Sequence, residues 1–503
     1  MAESGERPPV RAVGAGRNSL LAFLTQMSTA AFTAVLTIYL IRTLGPDDFG
    51  IFSLAVSIGT LLLLPADFGV TNATARYVAE RHGDWRAVAG LLSDGLRLKL
   101  IAGAVVSVAL GLAAGPIADA YGEPDLAWPL RWMALAVLGQ SLVAFYRYQF
   151  LALRDAAVGF RIVIGEAAVE ASTSILLVAI AGGAAAASAG RAVGYGFGTV
   201  LAIAITLRRF GRPAIERYRP LREARRQIGR YAGALFAIES SFAASTQMPP
   251  LMIGGFLSAR DVGVFSAPAR LLIFLQYPGI SVANGVAPRL AHTEGRGPDV
   301  ATFVTALRYL IVFQALLLAP LVVWAEPIVD LALGPGYERS ADLLRELAPY
   351  VFVAGLAALL STGVNYLGEA RRRLPISIFD LFLMVAMLAA LLPTVGLSGA
   401  AYALDIVTII YVLFHLWVLR KLVDVPLRPL VLATVRGLAA AGAAAGVLFA
   451  FGTDDLAVWE WGAGGAGALA AFGAVVVVLG EISVRELREA AARVRSPRSS
   501  PSR

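Results

Sequence analysis

The 503-residue chain is 58% hydrophobic, with mean hydropathy +0.71 and a formal net charge of +8. Soluble domains are about half apolar, and this chain strings its apolar residues into long uncharged runs. It has no cysteine, which excludes disulfides, thiolate metal sites and cysteine nucleophiles. Its three histidines, His82, His292 and His415, are too scattered for metal-ligand spacing.

In chain order, residues 1–18 form a polar, basic N-terminus, expected on the cytoplasmic side. Apolar runs of about 20 residues cross the hydrocarbon core as helices. They predict an all-α polytopic membrane protein with about fourteen spans: 19–41, 49–69, 97–118, 129–151, 161–182, 187–207, 231–256, 262–288, 304–326, 346–367, 374–394, 398–419, 430–451 and 458–480. The first run is longer than a signal-peptide core, and no small-residue cleavage site follows it. Spans five and six are separated only by "AGGAAAASAG", which is weakly polar and compatible with a single kinked helix. Residues 19–207 are expected to form one six-helix bundle and 231–422 a second. A basic cytoplasmic linker, 208–230, joins them, and anionic headgroups would hold it at the membrane. Residues 423–482 add two further spans, and 483–503 make a basic cytoplasmic tail.

Arg and Lys set the orientation. With both termini inside, most of the 43 basic residues fall at inner ends, and the outer ends hold only Arg42, Arg131, Arg191, Arg260, Arg339 and Arg345. The positive charge therefore follows the loops and implies no nucleic-acid partner.

A short turn recurs. "LGPDDFGIFSLA" at 44–55 and "LSARDVGVFSAP" at 257–268 match at Leu44/Leu257, Asp48/Asp261, Gly50/Gly263, Phe52/Phe265 and Ser53/Ser266. The copies join spans one and two and spans seven and eight, so they face the same way. That pattern describes two parallel repeats about an axis along the membrane normal, an arrangement suited to alternating access. Asp and Gly suit the chain reversal, and Phe52 and Phe265 are expected at the membrane interface.

The stretch 39–80 carries Arg-x-Leu-Gly-x-x-x-Phe-Gly from Arg42 to Gly50, Asp-Phe-Gly at 67–69, and Arg76 before a basic loop. It resembles the polysaccharide and O-antigen flippases (Wzx type) of the multidrug/oligosaccharidyl-lipid/polysaccharide exporter superfamily. The second copy continues with Arg-Leu-x-x-Phe from Arg270 to Phe274, similar to the lipid II flippases of the same superfamily. The resemblance implies two V-shaped six-helix bundles around a cavity, with two added helices. The implied function is movement of a polyprenyl-pyrophosphate-linked oligosaccharide from the cytoplasmic to the outer leaflet, with membrane lipids and other polysaccharide-assembly proteins as partners. By the same resemblance Arg270 would contact the substrate diphosphate, with Arg42 as a weaker partner.

Charges at membrane depth cost about 2.5–3.5 kcal/mol at a helix centre on insertion scales. Besides Arg270, the candidates are Asp67, Glu166, Glu170, Glu239, Asp380 and Asp405. Asp67 reads as a helix-end hydrogen bond or a pair with Arg76. Glu166 and Glu170 share one helix face, and adjacent acids resist joint ionisation. Coupling to H+ or Na+ is one reading of Glu166 and Glu170, and a polar seam or pairing to Arg154 and Arg161 is the other; Asp380 and Asp405 would serve the coupling role in the second bundle, and Glu239 is a further coupling candidate. No cofactor is implied. A cation-coupled multidrug antiporter, which uses membrane acids, and a lipid II flippase stay open. A glycan polymerase or ligase is disfavoured, because the longest outer segment, 327–345, contains no catalytic constellation.

Overall fold

Apolar runs bounded by Gly and Pro become helices because a membrane-buried backbone must satisfy its own hydrogen bonds. The computed structural model describes residues 15–81, 84–210, 221–291 and 297–482. The expectations for the tail 483–503, for His82 and His292, for residues 1–14 of the N-terminus and for residues 211–220 of the linker lie outside the described residues. Seventeen α-helices follow: α1 (Ala15–Asp67), α2 (Val70–Glu80), α3 (Trp85–Ala120), α4 (Ala127–Ala152), α5 (Ala156–Ala181), α6 (Gly183–Phe210), α7 (Leu221–Phe256), α8 (Ala259–Phe274), α9 (Tyr277–Val286), α10 (Val300–Val323), α11 (Ala325–Ala332), α12 (Glu338–Glu346), α13 (Ala348–Tyr366), α14 (Arg373–Val395), α15 (Leu397–Leu422), α16 (Leu427–Phe451) and α17 (Val458–Val478).

Twelve helical segments among the described residues are long and apolar enough to cross a membrane. Two features separate that number from the expected fourteen. α1 contains two expected spans, joined at Gly45, whose φ of 68° and ψ of 177° interrupt the helix. α7 contains the expected span 231–256 but falls outside the twelve; its run "ESSFAASTQ" from Glu239 to Gln247 dilutes its apolar character. Spans five and six are separate helices. Gly182 and Gly183, at φ 67° and 75°, break the chain between α5 and α6.

The chain divides into two units, residues 1–271 with 333–337 and 377–400, and residues 272–332 with 338–376 and 401–503. In the first, α5 packs on α6, α4 on α6 and α3, and α1 on α5. Its core joins Phe145, Phe150, Ile162, Leu91 and Ala202. In the second, α10 packs on α13 and α16, and α16 on α17. There Gly437, Ala440 and Ala444 are buried on α16, and Gly464, Ala468 and Phe472 on α17. The glycines and alanines among them let helix backbones approach. Trp324 donates its indole N–H to the Gly452 carbonyl at 3.1 Å. The carboxylate of Glu481, almost fully buried, accepts from Arg308 on α10 at 2.8 Å and Arg436 on α16 at 3.0 Å.

Within the first unit the recurring turns touch each other reciprocally. A Cβ on Gly50 would stand 1.8 Å from the Ala259 carbonyl oxygen, and one on Gly263 would stand 1.9 Å from the Pro46 carbonyl oxygen. Pro46 and Ala259 occupy the same register of the two copies, as do Asp47 and Arg260, which pair at 2.7 Å across 213 residues. Such swapped contacts are the mark of a two-fold relation. The matched glycines therefore recur because each admits the other copy's backbone. Phe52 and Phe265 are not interfacial: both are 3% exposed, buried where the turns pack. Tyr337 closes over this region, donating its hydroxyl to the Ile41 carbonyl at 3.2 Å. Burial, and then the nearby Asp47 carboxylate, push its phenol up, so it remains a neutral donor.

Candidate functional site

The site builds from the α5–α6 seam. Gly190, Gly194 and Gly198 recur every four residues on α6 and face Ser174, Glu170 and Glu166, spaced likewise on α5. A Cβ would lie 2.4 Å from the Ser174 Cα at Gly190, 2.6 Å from the Glu170 Cα at Gly194 and 2.8 Å from the Glu166 Cβ at Gly198. The backbones thus meet without intervening side chains. The contact delivers Arg191, next to Gly190, onto Glu170: Nη1 donates to Oε1 at 2.6 Å. Arg191 Nη2 also donates to the Tyr195 hydroxyl at 3.2 Å, and the guanidinium lies 5.1 Å from that ring. Glu166, one turn from Glu170, is 7% exposed. These acids pair with neither Arg154 nor Arg161 among the described residues; Glu170 takes its partner from α6, and Glu166 hydrogen-bonds to Glu170. Arg191 stands eight residues into α6, about 12 Å along the axis.

Arg270 lies eleven residues into α8, about 16 Å along its axis. Its guanidinium sits 5.4 Å from the Phe49 ring centroid and 5.7 Å from that of Phe52. Nη2 reaches Ser53 Oγ at 3.5 Å. Cation–π contact is worth about 2 kcal/mol when desolvated, comparable with the insertion cost of the charge. Among the described residues no carboxylate pairs with Arg270. The charged groups whose fields reach it are Arg191, which repels it, and Glu170, which attracts it. Two guanidinium groups and two carboxyl groups therefore share one buried neighbourhood in the first unit.

The other candidates are placed elsewhere. Arg42 is exposed on α1, with its Nε beside Gly334. Glu239 is exposed on α7. Asp380 on α14 is buried and hydrogen-bonds to Ser245. Asp405 on α15 accepts the Tyr350 backbone N–H at 2.8 Å, which satisfies an orphan donor in the first turn of α13. Asp67 pairs with Lys99 at 2.5 Å and not with Arg76, which pairs with Glu80 instead. Lys99, on α3, is 1% exposed, and its ammonium fixes the Asp-Phe-Gly bend where α1 ends, with Phe68 at φ 42° and Gly69 at φ 73°. His415 is wholly buried and bonds through Nδ1 to the Tyr411 carbonyl at 2.9 Å.

Residues 15–293, more than half of the chain, match the family described as "Polysaccharide biosynthesis protein". The chain belongs to the polysaccharide biosynthesis protein family. This family is one of transporters, not enzymes, and the chain is a multi-pass membrane protein. It is 25% identical over 375 residues to the succinoglycan biosynthesis transport protein ExoT of Rhizobium meliloti (strain 1021), covering 72% of this chain and 70% of that one. In fold it is similar to the lipid II flippase MurJ in an inward closed conformation, with TM-score 0.72, 12% identity, and coverage of 94% of this chain and 100% of that one. An inward-facing multidrug resistance transporter of the MATE family of the MOP superfamily aligns with TM-score 0.65 and 14% identity, covering 80% of this chain and 98% of that one. At such identities the likeness establishes the fold. The family match includes the recurring turn, the α5–α6 seam and Arg270.

Proposed function

We propose that this polysaccharide biosynthesis protein is a lipid-linked oligosaccharide flippase, carrying a polyprenyl-pyrophosphate-linked glycan from the cytoplasmic to the outer leaflet by alternating access. The observation that carries the reading is Arg270, a membrane-depth guanidinium with no carboxylate partner among the described residues. A cation kept in a spanning helix without a counter-ion is costly, and a diphosphate would supply the missing charge through forked, charge-assisted hydrogen bonds. Phe49 and Phe52 offer the guanidinium ring faces but no negative charge. Arg42, exposed near the kink in α1, is proposed as an accessory contact for the same headgroup.

The proposal includes fourteen crossings, reached by dividing α1 at Gly45 and adding α7. It also includes cytoplasmic termini, a reading supported by the distribution of Arg and Lys. Two parallel repeats, 19–207 and 231–422, would carry the cycle, supported by the reciprocal Gly50 and Gly263 contacts. The helices α16 and α17 are additions to the second repeat.

A cation-coupled drug antiporter is the competing reading, suggested by the likeness to the MATE transporter. The environments of the acids weigh against it. Glu170 is paired with Arg191, and Asp405 caps α13. The test is deletion of the gene followed by analysis of lipid-linked glycans. Accumulation of a polyprenyl-pyrophosphate glycan on the cytoplasmic leaflet supports flipping. Normal outer-leaflet exposure combined with drug sensitivity would support the antiporter.

A further inference from the structure

We infer that Arg308 and Arg436, joined by the enclosed carboxylate of Glu481, form a binding site for the phosphate of an anionic phospholipid where α10 and α16 begin and α17 ends. The site is separate from Arg270 and its proposed diphosphate. The flippase reading contributes only the topology, which sets these three helix ends at the cytoplasmic leaflet.

Local structure brings the three groups together. Arg308 stands eight residues into α10 and Arg436 nine residues into α16, about 12 to 14 Å along their axes. Glu481 follows α17 by three residues. Gly480, at φ 69°, takes the left-handed conformation there. The Glu481 N–H bonds back to the Val476 carbonyl at 3.0 Å and the Gly480 N–H to the Val477 carbonyl at 3.0 Å, which closes a Schellman turn. The turn directs Glu481 onto the neighbouring helices. Arg308 Nε and Nη2 donate to its Oε1 at 3.0 and 2.8 Å, and Arg436 Nη1 donates to its Oε2 at 3.0 Å. Backbone carbonyls at the negative end of the α17 dipole accept as well, Glu481 from Arg308 at 3.2 Å and Gly480 from Arg436 at 3.4 Å.

Two guanidinium groups share one carboxylate, so the cluster keeps a net positive charge. The Glu481 side chain is 1% exposed, whereas each arginine side chain is 29% exposed. The acid is enclosed and the arginines reach the surface. Arg308 Nη1 and Arg436 Nε and Nη2 make no hydrogen bond among the described residues. Beside them in sequence or one turn away, Tyr309, Leu432, Val435 and Val478 are all exposed. In a membrane such a surface meets acyl chains, and the charged acceptors beside acyl chains are headgroup phosphates. Guanidinium groups fork onto phosphate oxygens, and basic pockets between spanning helices suit anionic head groups. The net charge of the cluster selects a lipid whose headgroup has no cation of its own. Because α16 and α17 lie outside the two proposed repeats, a phosphate joining Arg308 to Arg436 would fasten this added pair to α10.

The test is thermal melting of the full chain in detergent, titrated with dioctanoyl-phosphatidylglycerol. Dioctanoyl-phosphatidylcholine is the zwitterionic comparison, and glycerol phosphate supplies the phosphate without chains. The expected result is a melting temperature that rises with phosphatidylglycerol, as for any ligand that binds only the folded state, and changes little with either comparison. Loss of a charge-assisted contact in Arg308→Gln or Arg436→Gln should weaken phosphatidylglycerol binding about 10- to 100-fold. Arg147→Gln, which removes an exposed arginine from α4, should keep the parental response. Glu481→Gln removes the acid that competes for both guanidinium groups, so it should bind phosphatidylglycerol more tightly than the parent and regain with that lipid most of the stability it loses in detergent. A purely structural ion pair would lower the melting of these variants alike in both lipids and leave the lipid response unchanged. Parental phosphatidylglycerol affinity in both arginine variants would overturn the site, as would a folded Glu481→Gln variant that binds no more tightly than the parent. An equal rise with phosphatidylcholine or glycerol phosphate would overturn the assignment to an anionic lipid. The flippase reading survives each of these failures, because its own test is Arg270.

Discussion

Replacing Gly194 by alanine adds one methyl group to α6 where it has least room. The new Cβ would stand 2.5 Å from the Glu170 Cβ, 2.6 Å from its Cα and 2.8 Å from its backbone nitrogen. Ordinary contact begins at 3.4 Å, and backbone atoms cannot rotate away. The two helices must therefore part by about 1 Å, and overpacking of this kind costs about 1–3 kcal/mol. The same displacement stretches the 2.6 Å bond between Arg191 and Glu170 beyond good hydrogen-bond length. Gly196 is the internal control: on the same helix, its added Cβ meets nothing within 4 Å. Gly196→Ala should be neutral or stabilising by about 0.5–1 kcal/mol, as glycine removal from a helix usually is. Thermal unfolding of the purified protein in detergent separates the two. Gly194→Ala should melt a few degrees lower and support less polysaccharide export, whereas Gly196→Ala should match or exceed the parent. Equal melting and export for both variants would refute the close-packed seam.

Three further outcomes follow from other contacts. Gly50→Ala and Gly263→Ala each drive a methyl into the opposite turn's carbonyl and should each impair export, whereas Asp47→Ala removes a pair whose members are 68% and 53% exposed and should cost under about 1 kcal/mol; unfolding and export assays on the three variants check the ranking. Lys99→Met leaves Asp67 without its buried ammonium and should destabilise by about 3 kcal/mol, with Lys99→Met/Asp67→Asn recovering most of the loss in a double-mutant cycle; a double variant no better than the single would show that the pair does not shape the bend. Glu481→Gln leaves Arg308 and Arg436 facing each other, and because each is 29% exposed the cost should be about 1–3 kcal/mol, less than for a sealed ion pair; melting in detergent measures it.

The sequence and the structure agree where the physics is local. Hydrophobic run length located nearly every membrane helix, because backbone satisfaction in lipid leaves few alternatives. The exceptions have physical causes. At Gly45 the helix is interrupted by backbone geometry at one residue, so two runs share one element. In α7 the polar stretch Glu239 to Gln247 lowers hydropathy without ending the helix. The recurrence of Gly50 and Gly263 was visible in the letters, but its cause, mutual backbone contact, is a three-dimensional fact. Arg191 lies near the start of an apolar run and reads in the sequence as an outer-end charge. Its partner is 21 residues away on the neighbouring helix, and only the four-residue spacing of Gly190, Gly194 and Gly198 hinted that α6 presents a close-packing face. Lys99, near the start of the expected span 97–118, is likewise buried, against Asp67.

The most direct measurement places the lipid-linked glycan on one leaflet or the other in cells whose only copy of the protein carries Arg270→Ala, with Arg270→Lys and the parent alongside. The account predicts that Arg270→Ala, expressed and folded at parental levels, leaves the pyrophosphate-linked glycan on the cytoplasmic face, and that Arg270→Lys restores part of its outward exposure. Parental outward exposure in the alanine variant would contradict it.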